Sequence, residues 1–195
     1  MQMETRLLSK SQLKEVYFKY LVNDFPPSER IPYRRLARLL KQGRYYPYGL
    51  YEGDTFIGYS FFVSAPGSNS FMADYLAILQ EYRNKGFGAE CLKVLNKNFE
   101  NLDYVIFEVE DPAFAGREED RRLMERRIHF YTRNGMHFTK LKVCTFGVHY
   151  LIGYASMKRI PSESEIIKNY IKIYDSRLGS HLITMMHIKT PNISE

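Results

Sequence analysis

Ten residues, Gln80-Glu81-Tyr82-Arg83-Asn84-Lys85-Gly86-Phe87-Gly88-Ala89, combine the residue types that an anion site needs. An apolar run of strand character, Phe71 to Leu79, stops at this polar turn, and a helical pattern follows it at once. Two glycines at the mouth of a helix let backbone N–H groups converge on an anion without Cβ atoms in the way. The helix adds about half a positive charge at that end. Arg-x-x-Gly-x-Gly therefore reads as a diphosphate cradle built from main chain at Asn84, Lys85, Gly86, Phe87, Gly88 and Ala89, flanked by the Arg83 and Lys85 side chains. No Gly-Lys-Ser/Thr follows the second glycine, which excludes a Walker loop, and the leading glycine of a dinucleotide fingerprint is missing. The plain alternative is an ordinary strand-to-helix turn.

A second chemical group stands in Tyr104-Val105-Ile106-Phe107-Glu108-Val109, where one carboxylate interrupts an apolar strand. Period-two alternation puts Glu108 on the face of Tyr104, Ile106 and Glu110. Apolar walls push a carboxyl pKa upward, towards the range where it accepts a proton from an amine. A solvated carboxylate at a strand end, or one paired with Arg126 or Arg127, is the competing reading. Glu108, Glu110, Asp111 and Asp74 together would gather negative charge that draws in a cationic amine. Tyr45, Tyr46, Tyr48 and Tyr51 would offer aromatic walls or cation–π contacts, unless they simply form a half-buried strand and loop. His129, His137, His149, His181 and His187 share no metal-ligand spacing with cysteine or acidic residues, so no metal site is expected. No Gly-x-Ser-x-Gly elbow occurs, which argues against a hydrolase triad.

The Arg83-to-Gly88 segment resembles motif A of the GCN5-related N-acetyltransferase (GNAT) superfamily, whose Q/R-x-x-G-x-G/A signature follows the fourth strand. Tyr104 to Val109 looks like the superfamily's fifth strand with its Leu-Glu-Val ending. Phe130-Tyr131-Thr132-Arg133-Asn134-Gly135-Met136 looks like motif B, and all three segments agree in order and spacing over about Tyr48 to Phe146. The resemblance implies an α/β (α+β) fold: a mixed, mostly antiparallel central sheet flanked by helices, with strands four and five splayed apart. It implies acetyl-CoA as co-substrate, with its pantetheine arm pairing with the backbone of Leu76, Ala77 and Ile78 and its diphosphate in the cradle. It also implies a general base at Glu108, with Asp74 on the fourth strand as competitor. Tyr131 matches the residue that acts as general acid, or hydrogen-bond donor, to the departing thiolate; a packed aromatic beside Phe130 is the competing reading. One position departs from the pattern. The asparagine that many members carry seven residues before the tyrosine, touching the cofactor arm, is Met124 here, and the link Asp111 to Glu119 is longer and charged. The implied activity is acetyl transfer to a primary amine of a small molecule, with a peptide or protein amine second, by direct attack in a ternary complex. The alternative is a catalytically inactive CoA-binding sensor or interaction protein of the same fold.

The elements that must position these groups can be traced along the chain. Leu13, Val16, Tyr17, Tyr20 and Leu21 form one helical stripe, broken at Asp24-Phe25-Pro26-Pro27. Tyr33, Leu36, Ala37 and Leu40 form a second short helix, ended near Gly43. Tyr48 to Tyr51 and Thr55 to Val63 read as strands around Glu52-Gly53-Asp54. Phe87, Cys91, Leu95 and Phe99 mark the helix behind the cradle, and another runs from about Glu118 to Asn134-Gly135. Thr139 to Phe146 and His149 to Tyr154 look like closing strands. Ser162 and Glu165 have capping-box spacing ahead of an amphipathic helix bearing Ile166, Ile167, Tyr170, Ile171 and Tyr174. Residues 1–158 are read as the acetyltransferase domain and 159–195 as a helical extension packed on it. That extension either packs on the substrate side or mediates a homodimer.

Composition sets the remaining bounds. A chain of 195 residues suits one domain with a substantial core. Lys and Arg number 28 against 22 acidic residues, a net +6. The densest basic cluster, Arg117 to Arg127, is interleaved with Glu118, Glu119, Asp120 and Glu125, which makes a helix face of i,i+4 pairs rather than a nucleic-acid surface. No apolar run spans a bilayer, the first residues lack a signal peptide's apolar segment, and two cysteines without C-x-x-C spacing fit a reduced cytoplasmic protein. Met185-Met186 reads as core or interface.

Overall fold

The computed structural model describes residues 3–178 and 186–189, and the chain divides into two compact units. His181 and Met185, and the side chains of Met186 and His187, lie outside what is described.

The first unit comprises Met1–Ser64 and Ala73–Asn101. Strand β1 (Met3–Leu7) is followed by helix α1 (Lys10–Val16), which opens on a reciprocal capping box: the Gln12 N–H donates to Ser9 Oγ at 3.3 Å and the Ser9 N–H to Gln12 Oε1 at 2.9 Å. The stripe expected to run unbroken slips into one π-helical stretch at Tyr17–Leu21 before helix α2 (Val22–Asp24). Phe25, ahead of Pro26, is extended and ends the run, as a residue before proline tends to be. Helix α3 (Tyr33–Lys41) buries Leu36 and Leu39 completely. Strands β2 (Tyr45–Glu52) and β3 (Thr55–Ser64) make the expected hairpin, and β1 pairs antiparallel with β2. Strand β4 (Ser70–Ile78) contributes Ala73–Ile78 here, so neighbouring strands run β1-β2-β3-β4. Helix α4 (Phe87–Asn98) buries Phe87, Cys91, Leu92 and Leu95. Phe99 stacks edge-on against Phe62 and Tyr48.

The second unit comprises Ala65–Met72 and Leu102–Glu195. Its strand order is β4-β5-β7-β6-β8, with β5 (Tyr104–Glu110), β6 (His137–Thr145), β7 (Val148–Ser156) and β8 (Met186–Lys189). Strand β5 runs antiparallel to β7, β7 to β6 and β6 to β8. The β4–β5 ladder is parallel and ends early, Met72↔Ile106 being its last pair, whereas β4 continues to Ile78. Helix α5 (Glu118–Arg133) stops at Gly135 with φ +81°, a left-handed cap that glycine adopts without strain. The β6–β7 turn is Phe146-Gly147, both at positive φ, which twists the hairpin correctly but asks a left-handed conformation of a phenylalanine. Helix α6 (Glu163–Leu178) begins with the predicted box: the Glu165 N–H donates to Ser162 Oγ at 3.2 Å and the Ser162 N–H to Glu165 Oε2 at 3.0 Å. Residues after 158 fall in the same unit as β5 to β7, and they add a strand, β8, beside the helix that the sequence indicated.

Candidate functional site

The cradle takes shape in the first unit. After β4, Gln80–Tyr82 make one 3-10 turn, Arg83 is extended, Asn84 sits at φ +62° and Gly86 at φ +86°. A Cβ at Gly86 would be strained, which is the local reason for glycine there. The Gly86 carbonyl accepts from the N–H groups of Ala89 at 3.1 Å and Glu90 at 3.2 Å, the first bonds of α4. The N–H groups ahead of Ala89 have no helical carbonyl one turn back, so they belong to the open, positive end of the helix. Phe87, buried and edge-on to Tyr82 at 6.0 Å, pins that end in place, whereas Asn84, Lys85 and Gly86 are exposed. An anionic group fits this mouth: it has a left-handed glycine and the open end of a helix, with Lys85 Nζ nearby, 5.6 Å from the centre of the Tyr82 ring.

Arg83 is tied down. Its Nε donates to the Ile78 carbonyl at 2.8 Å and its Nη2 to Asp24 Oδ1 at 3.1 Å. The other Asp24 oxygen accepts the Tyr59 hydroxyl at 2.8 Å. Tyr59 is fully buried, and burial followed by the Asp24 carboxylate pushes its pKa up, so it stays a donor. Of the three residues expected to face the pantetheine arm, Leu76 and Ile78 are half-buried and Ala77 is buried, and the Ile78 carbonyl already holds Arg83. Gly58 on β3 lets β4 approach, because a Cβ there would meet the Ala77 carbonyl oxygen and lie 3.1 Å from Ile78 Cα.

In the second unit, the Glu108 carboxylate is held by helix α6. Tyr174 donates its hydroxyl to Oε1 at 2.8 Å and Oε2 at 3.0 Å, and the Tyr170 hydroxyl makes a very short bond to Oε1. Thr145 Oγ1 on β6 lies 3.4 Å from the Tyr170 hydroxyl, and the Arg177 guanidinium sits 4.1 Å from the centre of the Tyr174 ring. All three helix residues are buried. Sequence reasoning placed Tyr170 and Tyr174 on a packing stripe without seeing this role. The signal was available, however: two tyrosines at i,i+4 on a buried helix face need polar partners for their hydroxyls.

Tyr131 stacks on Phe107 with ring centres 4.7 Å apart and on Phe130 at 5.3 Å. Alternation along β5 turns Phe107 and Glu108 to opposite faces, so Tyr131 and the Glu108 cluster flank the strand from either side. Gly153 on β7 makes room for the Phe107 ring, since a Cβ there would collide with it. The expected gathering of carboxylates is compensated: Glu110 takes a very short bond from Arg127, and Asp111 accepts from Lys142 Nζ at 2.8 Å and from the Ala113 N–H at 3.0 Å. Asp74 is half-buried on the first-unit part of β4. Tyr45, Tyr48 and Tyr51 pack on Phe61, Phe62 and Phe56, and Tyr46 donates to the Gly43 carbonyl, which is the packing reading. Two of the α5 arginines pair within their own helix, Arg121 with Glu118 and Glu125 and Arg122 with Glu118, whereas Arg127 reaches Glu110 on β5. Met124 is half-buried. Cys91 is a buried thiol whose pKa burial raises. Among the described residues there is no group of three candidate metal ligands and no helix long and apolar enough to cross a membrane.

No family model and no curated protein matches the chain. Solved structures do match it. One is a protein of Bacteroides thetaiotaomicron described as a GNAT-family acetyltransferase, with a TM-score of 0.72 at 19% identity, covering 90% of this chain and 98% of that one. Another is the spermidine N-acetyltransferase of Vibrio cholerae, solved with CoA and spermine, at 0.60 and 14% identity over 80% of this chain and 96% of that one. The ribosomal-protein-S18-alanine N-acetyltransferase of Escherichia coli gives 0.56 and 14% over 83% and 98%. The chain has the GNAT fold.

Proposed function

We propose that this protein moves an acetyl group from acetyl-CoA to a primary amine, of a small molecule first and of a peptide or protein second, by direct attack in a ternary complex. The observation that carries the reading is the left-handed Gly86 at the open end of α4, inside an Arg-x-x-Gly-x-Gly loop on a GNAT fold. Neighbours named as N-acetyltransferases of spermidine and of ribosomal-protein-S18-alanine support an amine as the acceptor class.

Acetyl-CoA would supply the activated acyl group and a thiol that leaves. The chain supplies the rest. Main-chain N–H groups at the cradle, ahead of Ala89, hold the diphosphate, with Lys85 adding charge, and the backbone of Leu76, Ala77 and Ile78 aligns the arm. Arg83 acts by bracing the loop against Asp24 and Ile78. Glu108 accepts the proton that an alkylammonium must lose before its lone pair can attack. Tyr131 donates a hydrogen bond to the sulfur as negative charge builds there, which a phenol does while remaining protonated at neutral pH.

Release of free thiol from acetyl-CoA, followed across a panel of amines, tests the reading. Glu108→Gln and Tyr131→Phe should each cost about 10²–10⁴ in turnover. Turnover within a few-fold of wild type would remove these roles. A second reading, a CoA-binding sensor without chemistry, draws on the engagement of both Glu108 oxygens by α6. It predicts heat on titrating CoA and no thiol release with any amine.

A further inference from the structure

We infer that Tyr170 and Tyr174 of helix α6 are positioning residues for Glu108, holding its carboxylate in one orientation. The inference rests on the acetyltransferase reading for its catalytic consequence but on geometry for its substance. Three hydroxyl contacts converge on this carboxylate: two from Tyr174, at 2.8 and 3.0 Å, and one very short one from Tyr170. A carboxylate that is only packed would not draw both phenols of an i,i+4 pair on a buried helix face.

The chemistry has a definite sign. A phenol that donates stabilises the charged carboxylate and lowers its pKa, against burial, which raises it. The donors themselves are secure. Burial first, and Glu108 second, push both phenol pKa values up, so neither loses its proton near neutrality. The groups facing the carboxylate come from each neighbouring element. Helix α6 gives Tyr170, Tyr174 and, across the Tyr174 ring, Arg177. Strand β6 gives Thr145 through the Tyr170 hydroxyl, and β7 sets Ile152 opposite. On β5 itself Ile106 and Glu110 share the face, the latter paired with Arg127 of α5. The described cations among these neighbours are Arg177, over the Tyr174 ring, and Arg127, paired with Glu110.

The arrangement gives the C-terminal segment a function. Without α6, Glu108 would be a strand carboxylate free to rotate and to pick up a proton. With it, the carboxylate is an ordered acceptor with a fixed lone-pair direction, which a general base requires.

The test uses the full chain and two readouts. The Glu108 side-chain carboxyl is assigned by 13C NMR as the signal missing in Glu108→Gln, then titrated in wild type, Tyr170→Phe, Tyr174→Phe and the double variant. Phenylalanine keeps the ring stack of 4.6 Å between positions 170 and 174, so the variants lose hydroxyls and little packing. Each lost donor should raise the Glu108 pKa by about one unit or more. The acidic limb of kcat/KM should move to higher pH by the same amount, with KM for acetyl-CoA unchanged. A Glu108 titration that stays put in either folded single variant and in the double overturns the inference, as does a shift to lower pH. Failure of the wild type to acetylate any amine would overturn the acetyltransferase reading instead, and the carboxyl titration would still decide this one.

Discussion

Replacing Gly86 by alanine tests the cradle most directly. At φ +86° and ψ −11° the residue lies where an L side chain costs roughly 1–2 kcal/mol. The variant therefore either keeps the turn and loses that much stability, or relaxes φ and swings the amides of Gly86, Phe87 and Gly88 off their common target. Gly43→Ala separates the two effects. Gly43 sits at φ +66° with nothing within 4 Å of where a Cβ would stand, so it takes a similar backbone cost far from the cradle loop in sequence.

For a chain of this size, 1 kcal/mol corresponds to about 2–4 °C in melting temperature, so both variants should melt a few degrees below wild type. The ligand-dependent part should differ. Saturating CoA at about 100 times its dissociation constant adds about 2.7 kcal/mol. If relaxation of residue 86 weakens binding tenfold, about 1.4 kcal/mol of that is lost in Gly86→Ala and none in Gly43→Ala. Differential scanning fluorimetry with and without CoA, together with calorimetric titration, reads both numbers. Equal CoA affinity in wild type and Gly86→Ala, with the melting temperature left at the wild-type value and the turn therefore relaxed, would refute the cradle.

Asp24→Asn keeps an acceptor for Tyr59 while removing the negative charge beside Arg83. With the ion pair that braces Arg83 weakened, CoA should bind a few-fold more weakly by calorimetric titration, and unchanged or tighter binding would show that the brace does not serve the site. Gly153→Ala forces a methyl against the Phe107 ring, at a cost of about 1–3 kcal/mol; because Phe107 carries Tyr131, turnover should fall while CoA affinity stays, as steady-state kinetics and calorimetry would show. Glu165, bonded to Arg159 and to the Ser162 N–H, has its pKa lowered to about 2 from 4.5. A depressed carboxyl pKa contributes stability that is complete above 4.5 and is lost as pH falls towards about 2. Glu165→Gln should flatten the melting-temperature slope in that window and nowhere above it, and an unchanged slope would contradict the assignment.

Local structure was legible where one dihedral or one spacing dictates residue type. Gly86 had to be glycine because of one dihedral, and Ser162 with Glu165 had to cap a helix because of one spacing; both are short-range constraints. Strand β1 was not legible. Met3–Leu7 is a five-residue strand whose partners in β2 stand more than forty residues away, so nothing local marks it. The slip into π-helix at Tyr17–Leu21 was hidden for a different reason: a single extra residue leaves the apolar i,i+3,i+4 pattern intact on the page. Tyr170 and Tyr174 were seen as a stripe and not as donors, because periodicity reports which face is buried and is silent on what lies opposite.

The two proposed catalytic groups owe their separation to the simplest feature of β5. Adjacent residues on a strand point to opposite faces, so one register fixes Phe107 against α5 and Glu108 against α6. A slip of one residue would exchange them, burying a carboxylate under Tyr131 and presenting a phenylalanine to two phenols. The antiparallel pairing Phe107↔Gly153 prevents that slip, because only glycine opposite leaves room for the ring, while Glu108↔Ile152 places no competing polar group beside the carboxylate. Specificity of register is thus enforced by a void on one face and by hydrogen bonding on the other. The same two devices that fix the fold of this strand also keep Glu108 and Tyr131 on opposite faces of it.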